Sequence, residues 1–165
     1  MYPYLKRLEI RPLQEDDKPW IRAKISENWG STSIVTCGKI YDTTTLPGYV
    51  AFDEKKPVGL LCYKMHDDAM EIVVLDCTIA GRGCGTELMY HAEKTAKNNG
   101  YRKMKVTTTN DNTNALRFYQ KLEYTISAIR IGAITEYRKT LKPEIAIKGF
   151  HGIPIRDEIE LEKIL

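Results

Sequence analysis

Apolar and polar positions change their period along this chain, and each change marks an element. Leu8 and Ile10 alternate with Glu9 and Arg11, and the stretch Leu8 to Leu13 reads as a first strand. EDDKPWIRAKISENWG then reads as a helix. Acids crowd its first turn, Pro19 stands near its start and Gly30 follows its end. Ser31 to Pro47 reads as irregular, with short extended pieces around Ile34 and Ile40. GYVAFDEKKPVGLLCYKM reads as a hairpin turning near Asp53 to Lys56. In AMEIVVLDC, strict alternation puts Met70, Ile72 and Val74 on one strand face. Glu71, Val73, Leu75 and Cys77 fall on the other.

Beyond Cys77 the period lengthens. Leu88, Met89, Ala92 and Ala96 recur at helical spacing, and Asn99-Gly100 ends that helix. YRKMKVTTT returns as a strand. NDNTNALRFYQKL follows as a helix, with Ala115, Phe118, Tyr119 and Leu122 in one stripe. EYTISAIRI reads as a strand and AITEYRKTL as a short helix stopped before Pro143. RDEIELEKIL reads as a closing strand, Ile159 and Leu161 inward and Glu158, Glu160 and Glu162 on a solvated face. Antiparallel strands come first and strand–helix alternation follows. That order predicts an α/β fold, a mixed sheet with helices on its faces.

Composition narrows the picture. With 165 residues, 42% apolar and 28% charged, the chain fits one domain over 1–165 with one core. A net charge of +3 from scattered basic residues gives no nucleic-acid footprint. No run of about 18 apolar residues exists to span a membrane. The start, MYPYLKRLEIRPL, lacks a signal peptide's apolar stretch, so a cytoplasmic location is expected. Cys37, Cys62, Cys77 and Cys84 are far apart, without C-x-x-C or zinc spacing, and His66, His91 and His151 are dispersed. Reduced thiols and no metal are expected.

The segment AGRGCGTELM, Ala80 to Met89, is where chemistry enters. It lacks the Gly-Lys-Ser/Thr of a Walker loop, and the spacing of Gly81, Gly83 and Gly85 misses the dinucleotide fingerprint by one residue. Two readings stand. A glycine loop at a helix start aims backbone N–H groups and a partial positive charge at an anion such as pyrophosphate, with Arg82 and Thr86 near it. Alternatively, it is a turn that uses glycine for positive φ.

GRGCGTELM, with NDNTNALRFYQKLEY about 25 residues later, resembles the GNAT superfamily of N-acetyltransferases. The family pattern is Q/R-x-x-G-x-G/A at the loop and N-x-x-A-x-x-x-Y on the next helix. Gly83 and Gly85 match the first motif; Asn112, Ala115 and Tyr119 match the second. Ala80 replaces the usual Gln or Arg, and Glu123-Tyr124 stands where Gly-Phe is common.

The resemblance implies a mostly antiparallel sheet of about seven strands, splayed where acetyl-CoA binds. It also implies acetyl transfer from acetyl-CoA to a primary amine. By the same resemblance, Gly81, Arg82, Gly83, Cys84, Gly85 and Thr86 cradle the pyrophosphate. The backbone of Leu75 and Cys77 meets the pantetheine and acetyl group, Asn112 meets the pantetheine arm, and Lys121 a phosphate. Tyr119 is the implied acid for the leaving thiolate. Glu71 is the candidate general base, with Asp76 its rival should a bulge turn that residue. The residues leave Tyr119 open as a core aromatic and Asn112 as a helix cap. A small-molecule acceptor is favoured, since no acidic groove for a basic peptide is evident. Trp29, Tyr41, Phe150 and His151 are candidates to line its pocket. A non-catalytic acetyl-CoA sensor is the alternative, and a homodimer through the last strands is a further implication.

Overall fold

The computed structural model describes residues 7–165, so the expectation drawn from the first six residues lies outside it. In chain order the elements are β1 (Glu9–Pro12), α1 (Lys18–Trp29), β2 (Ser33–Thr36), β3 (Lys39–Asp42), β4 (Gly48–Asp53), β5 (Lys56–Met65) and β6 (Met70–Cys77). There follow α2 (Cys84–Asn98), β7 (Lys103–Thr109), α3 (Thr113–Lys121), β8 (Thr125–Arg130), α4 (Ala133–Thr140) and β9 (Glu158–Ile164). Among the described residues, seven strands form the main sheet in the order β1-β4-β5-β6-β7-β9-β8, and β2 and β3 pair by themselves. Every neighbouring pair in the main sheet is antiparallel except β6 and β7. Among the described residues no helix is long and apolar enough to cross a membrane.

Helices cover both faces, as the sequence predicts. On one face α2 and α3 bury Leu88, Met89, Ala92, Ala96 and Tyr119 against Met70, Ile72, Val106 and Leu161. On the other, Ile21 and Ile25 of α1 pack with Leu60, Cys62 and Val74. Each such aliphatic side chain removed from water contributes about 1.5–3 kcal/mol. Gly30 ends α1 at φ +79°, its N–H donating to the carbonyl of Ser26, a left-handed cap suited to glycine.

Three expectations are corrected. The short extended pieces expected around Ile34 and Ile40 are β2 and β3, but the stretch that reads as irregular pairs them with each other. Thr36 pairs with Lys39, and the two-residue turn between them, Cys37 at φ +50° and Gly38 at φ +73°, makes a tight hairpin. A cysteine in the first turn position hides the hairpin from sequence reading, because Asn, Asp or Gly is its usual mark. The strict alternation assigned to β6 fails at Val73. Cys62 faces Val74 and Tyr63 faces Ile72, so Val73 is an extra residue with no partner on β5. The third correction is β9, which lies between β7 and β8. Its Ile159 and Leu161 face the core as expected, but Glu158 and Glu160 are buried on the opposite face rather than solvated.

Candidate active site

The bulge at Val73 decides what points where. Leu75 and Cys77 rejoin Met70 and Ile72 on the α2–α3 face. Val74 moves to the α1 face, and so does Asp76, whose carboxylate pairs with Lys24 of α1 at 2.6 Å. At the bulge the sheet opens. The parallel ladder pairs Met70 with Met104, Glu71 with Lys105 and Ile72 with Val106, then stops. β6 continues to Cys77 and β7 to Thr109 without pairing to each other. Their parting edges carry main-chain donors and acceptors that the ladder no longer uses.

The glycine loop sits at the open end. Gly81 takes φ +74° and Gly83 φ +71°; a Cβ at either would meet nothing within 4 Å, so backbone conformation rather than crowding calls for glycine there. Gly83 is the N-cap of α2 and provides no side-chain cap. The first amides of the helix, at Cys84, Gly85 and Thr86, therefore face outward with the positive end of the helix dipole. Gly85 has a different reason to be glycine: a Cβ there would stand 3.1 Å from the Phe118 ring of α3. Arg82 is tied by an ion pair to Asp53 at the end of β4. Lys121, at the end of α3, is exposed.

Asn112 caps α3, its Oδ1 accepting from the Ala115 N–H at 3.1 Å. Two helical turns beyond Asn112, Tyr119 is 7% exposed, its ring packed edge-on to Phe118 and tilted against Tyr124. Burial first, and then neighbouring Cys77, raise its phenol above the ordinary value, so it stays protonated at neutral pH. The Cys77 thiol donates to the sulfur of Cys84 across 2.8 Å. That hydrogen bond raises Cys77, reinforced by burial, and lowers Cys84.

Glu71 lies on the opposite face, one residue before the ladder ends. It is 2% exposed, and both oxygens are engaged. Oε1 accepts from the Thr36 hydroxyl at 2.9 Å, and Oε2 is 2.6 Å from Nε2 of His66. A cleft of about 210 Å³ opens beside this pair, lined in part by Tyr41, His66, Asp68 and Lys105. The tip of the β2–β3 hairpin reaches over the sheet here. The Cys37 N–H donates to Glu158, which also accepts from Arg130 and Tyr137, while Arg130 and Lys105 hold Glu160.

Sequence reading missed His66, Thr36, Arg130, Glu158 and Glu160. For Glu158 and Glu160 the only signal is that polar residues alternate on β9, which a solvated face explains equally well; nothing in the sequence pattern singles out the other three. Of the four aromatic and histidine candidates for the acceptor pocket, only Tyr41 lines the cleft. Trp29 and Phe150 are exposed, at 37% and 55%, and His151 is exposed too.

A splayed parallel pair, a left-handed glycine loop and an uncapped helix start are thus assembled together. Residues 8–124 match the model of the acetyltransferase (GNAT) family. The chain belongs to the GNAT family. Bacillus subtilis protein YxbD is 38% identical to this GNAT protein over 159 residues, covering 96% of this chain and 99% of YxbD. Among solved structures, a GNAT family acetyltransferase from Elizabethkingia anophelis, with acetyl-CoA bound, superposes with a TM-score of 0.70 at 21% identity. It covers 97% of this chain and 99% of its own. A Bacillus subtilis acetyltransferase in complex with CoA gives a TM-score of 0.71 at 20% identity, covering 96% and 99%. Those two likenesses are of fold.

Proposed function

We propose that this GNAT protein transfers the acetyl group of acetyl-CoA directly to a primary amine on a small molecule. One observation carries the reading: the β6–β7 ladder stops at Ile72–Val106 beside the uncapped start of α2. The amides from Gly81 to Thr86 then hold the pyrophosphate, and the freed edge of β6 at Leu75 and Cys77 holds the pantetheine and polarises the acetyl carbonyl. Asn112 turns its side-chain N–H groups toward the pantetheine while its oxygen keeps the cap. Arg82 and Lys121 stand at the phosphate end.

Tyr119 gives its proton to the departing sulfur. Glu71, buried among fixed donors, draws the amine's proton through solvent in the cleft and holds it close to His66. Asp76 shares that face, but Lys24 already neutralises it. The size of the cleft, and the hairpin that covers this face, favour a small acceptor over a protein tail. The same reading places the protein in the cytoplasm. It also has a second copy pairing along β8, the sheet's edge strand, where Ile126 and Ile129 are 47% and 57% exposed. Sedimentation at two concentrations tests the dimer.

The deciding experiment supplies acetyl-CoA and a panel of amines and follows release of free thiol. Amine-dependent release is expected with at least one small primary amine. Tight coenzyme binding with no release from any amine would replace this reading with a sensor of acetyl-CoA.

A further inference from the structure

Two thiols meet at the base of the glycine loop. Cys77 ends β6 and Cys84 begins α2; both are free cysteines, and their sulfurs lie 2.8 Å apart. A disulfide needs about 2.05 Å, so the two sulfurs need approach by only ~1 Å. The two thiols are not equivalent. Cys77 is half-buried, on the edge of the splayed strand, whereas Cys84 is 2% exposed. Cys84 also occupies the first turn of a 15-residue helix, a place that favours thiolate. If the loop holds coenzyme A, as proposed above, the coenzyme's own sulfur is delivered next to Cys77.

We propose that Cys77 and Cys84 form a thiol–disulfide exchange pair whose oxidant is the disulfide of coenzyme A. The Cys77 sulfur attacks one sulfur of that disulfide, its proton drawn off through the Cys84 sulfur to which it is hydrogen-bonded, so that Cys84 is left as thiolate. The coenzyme S–S bond breaks, one coenzyme A leaves as thiolate, and a mixed disulfide forms on Cys77. The Cys84 thiolate then attacks the Cys77 sulfur and expels the second coenzyme A, leaving a Cys77–Cys84 bond. Two electrons pass from the protein thiols to the coenzyme disulfide. The two protons shed by the cysteines return to the two released coenzyme thiolates. Cys84 thereby clears a coenzyme adduct that would otherwise block the acetyl-CoA site.

The test treats the reduced full-length protein with coenzyme A disulfide and follows intact mass and released coenzyme A. Wild type is expected to lose two hydrogens, to release two coenzyme A molecules per chain, and to yield a Cys77–Cys84 cross-linked peptide on mapping. Cys84→Ala should instead retain one coenzyme A on Cys77, removable by dithiothreitol, and Cys77→Ser should form neither product. A stable coenzyme adduct on wild type, a reaction confined to other cysteines, or no reaction within hours overturns the pair; peptide mapping of wild type reads this without any variant.

Hydroxyethyl disulfide, which lacks the nucleotide, should produce the same cross-link at least about tenfold more slowly. Equal rates with the two oxidants, together with no calorimetric heat from coenzyme A, would refute the coenzyme-binding reading and the choice of oxidant while leaving the dithiol intact. Coenzyme binding with no cross-link would refute the exchange pair alone.

Discussion

A phenol that is to protonate a thiolate must keep its own proton until the sulfur leaves, and the burial of Tyr119 secures that. Replacing it with Phe preserves the ring packing against Phe118 and Tyr124. Tyr119→Phe is expected to lower kcat by about 10²-fold with CoA affinity unchanged, measured by thiol release and calorimetry side by side. Glu71→Gln keeps the shape but not the base. It should lower kcat to a similar order of about 10²-fold while leaving the KM for acetyl-CoA nearly constant. Gly83→Ala forces a Cβ into the left-handed region, at a cost of about 1–2 kcal/mol in stability. Thermal melting should show the loss, and calorimetry a weaker grip on the coenzyme. The glycine loop and the Tyr119 helix are legible as candidates because their spacing is local: three glycines within five positions, and Asn112, Ala115 and Tyr119 along one helix face; Glu71 is a candidate only from its place on β6. His66 and Glu158 were not legible. Glu158 gains its meaning from Cys37, Arg130 and Tyr137, all distant in sequence, whereas His66 meets nearby Glu71 only because the β5–β6 turn folds it back; a single strand's alternation records neither.

At the level of elements, helices were read well because each buries one stripe against a flat sheet. Leu88 on α2 is fully buried beneath β5 and β6. Leu88→Ala should cost about 2–5 kcal/mol, read as a lower urea midpoint. Strand faces were harder. One inserted residue, Val73, exchanged the two sides of β6 from Val74 onward. That exchange brings Leu75 and Cys77 to the glycine loop and leaves Glu71 on the far side with Asp76. Period-two counting treats a strand as regular throughout, whereas this bulge arises where β6 stays paired to β5 while parting from β7. The β2–β3 hairpin escaped for a related reason, since its two short strands bury only Ile34 and Thr36 and offer almost no pattern to count.

Over the whole molecule, the mixed, mostly antiparallel sheet of seven strands and the helices on both faces follow the sequence reading, whereas the insertion of β9 between β7 and β8 and the charged layer under the hairpin do not. The core also sets how the fold responds to pH. Burial raises Cys62 to about 12 and lifts Tyr119 and Tyr124 above their ordinary values, with Glu93 adding to the shift at Tyr124. An unfolded chain loses those protons near the usual values, whereas the native state keeps them. Stability from these groups is therefore full below about pH 9 and falls as pH climbs toward 12. Urea midpoints measured near pH 8 and near pH 11 should show the drop. A midpoint that does not move between them would contradict the assigned burial.

The place of β9 in the sheet has a bearing on how the protein comes into being. Residues 158–164 slot between strands made from residues 103–109 and 125–130. A nascent polypeptide emerging from the ribosome therefore holds that gap open until its distal portion arrives. The carboxylates that steady Arg130 and Lys105 arrive with the same segment. Competence and completion of the fold are thus simultaneous, and a product halted before residue 158 would carry an intact glycine loop on a sheet that cannot close.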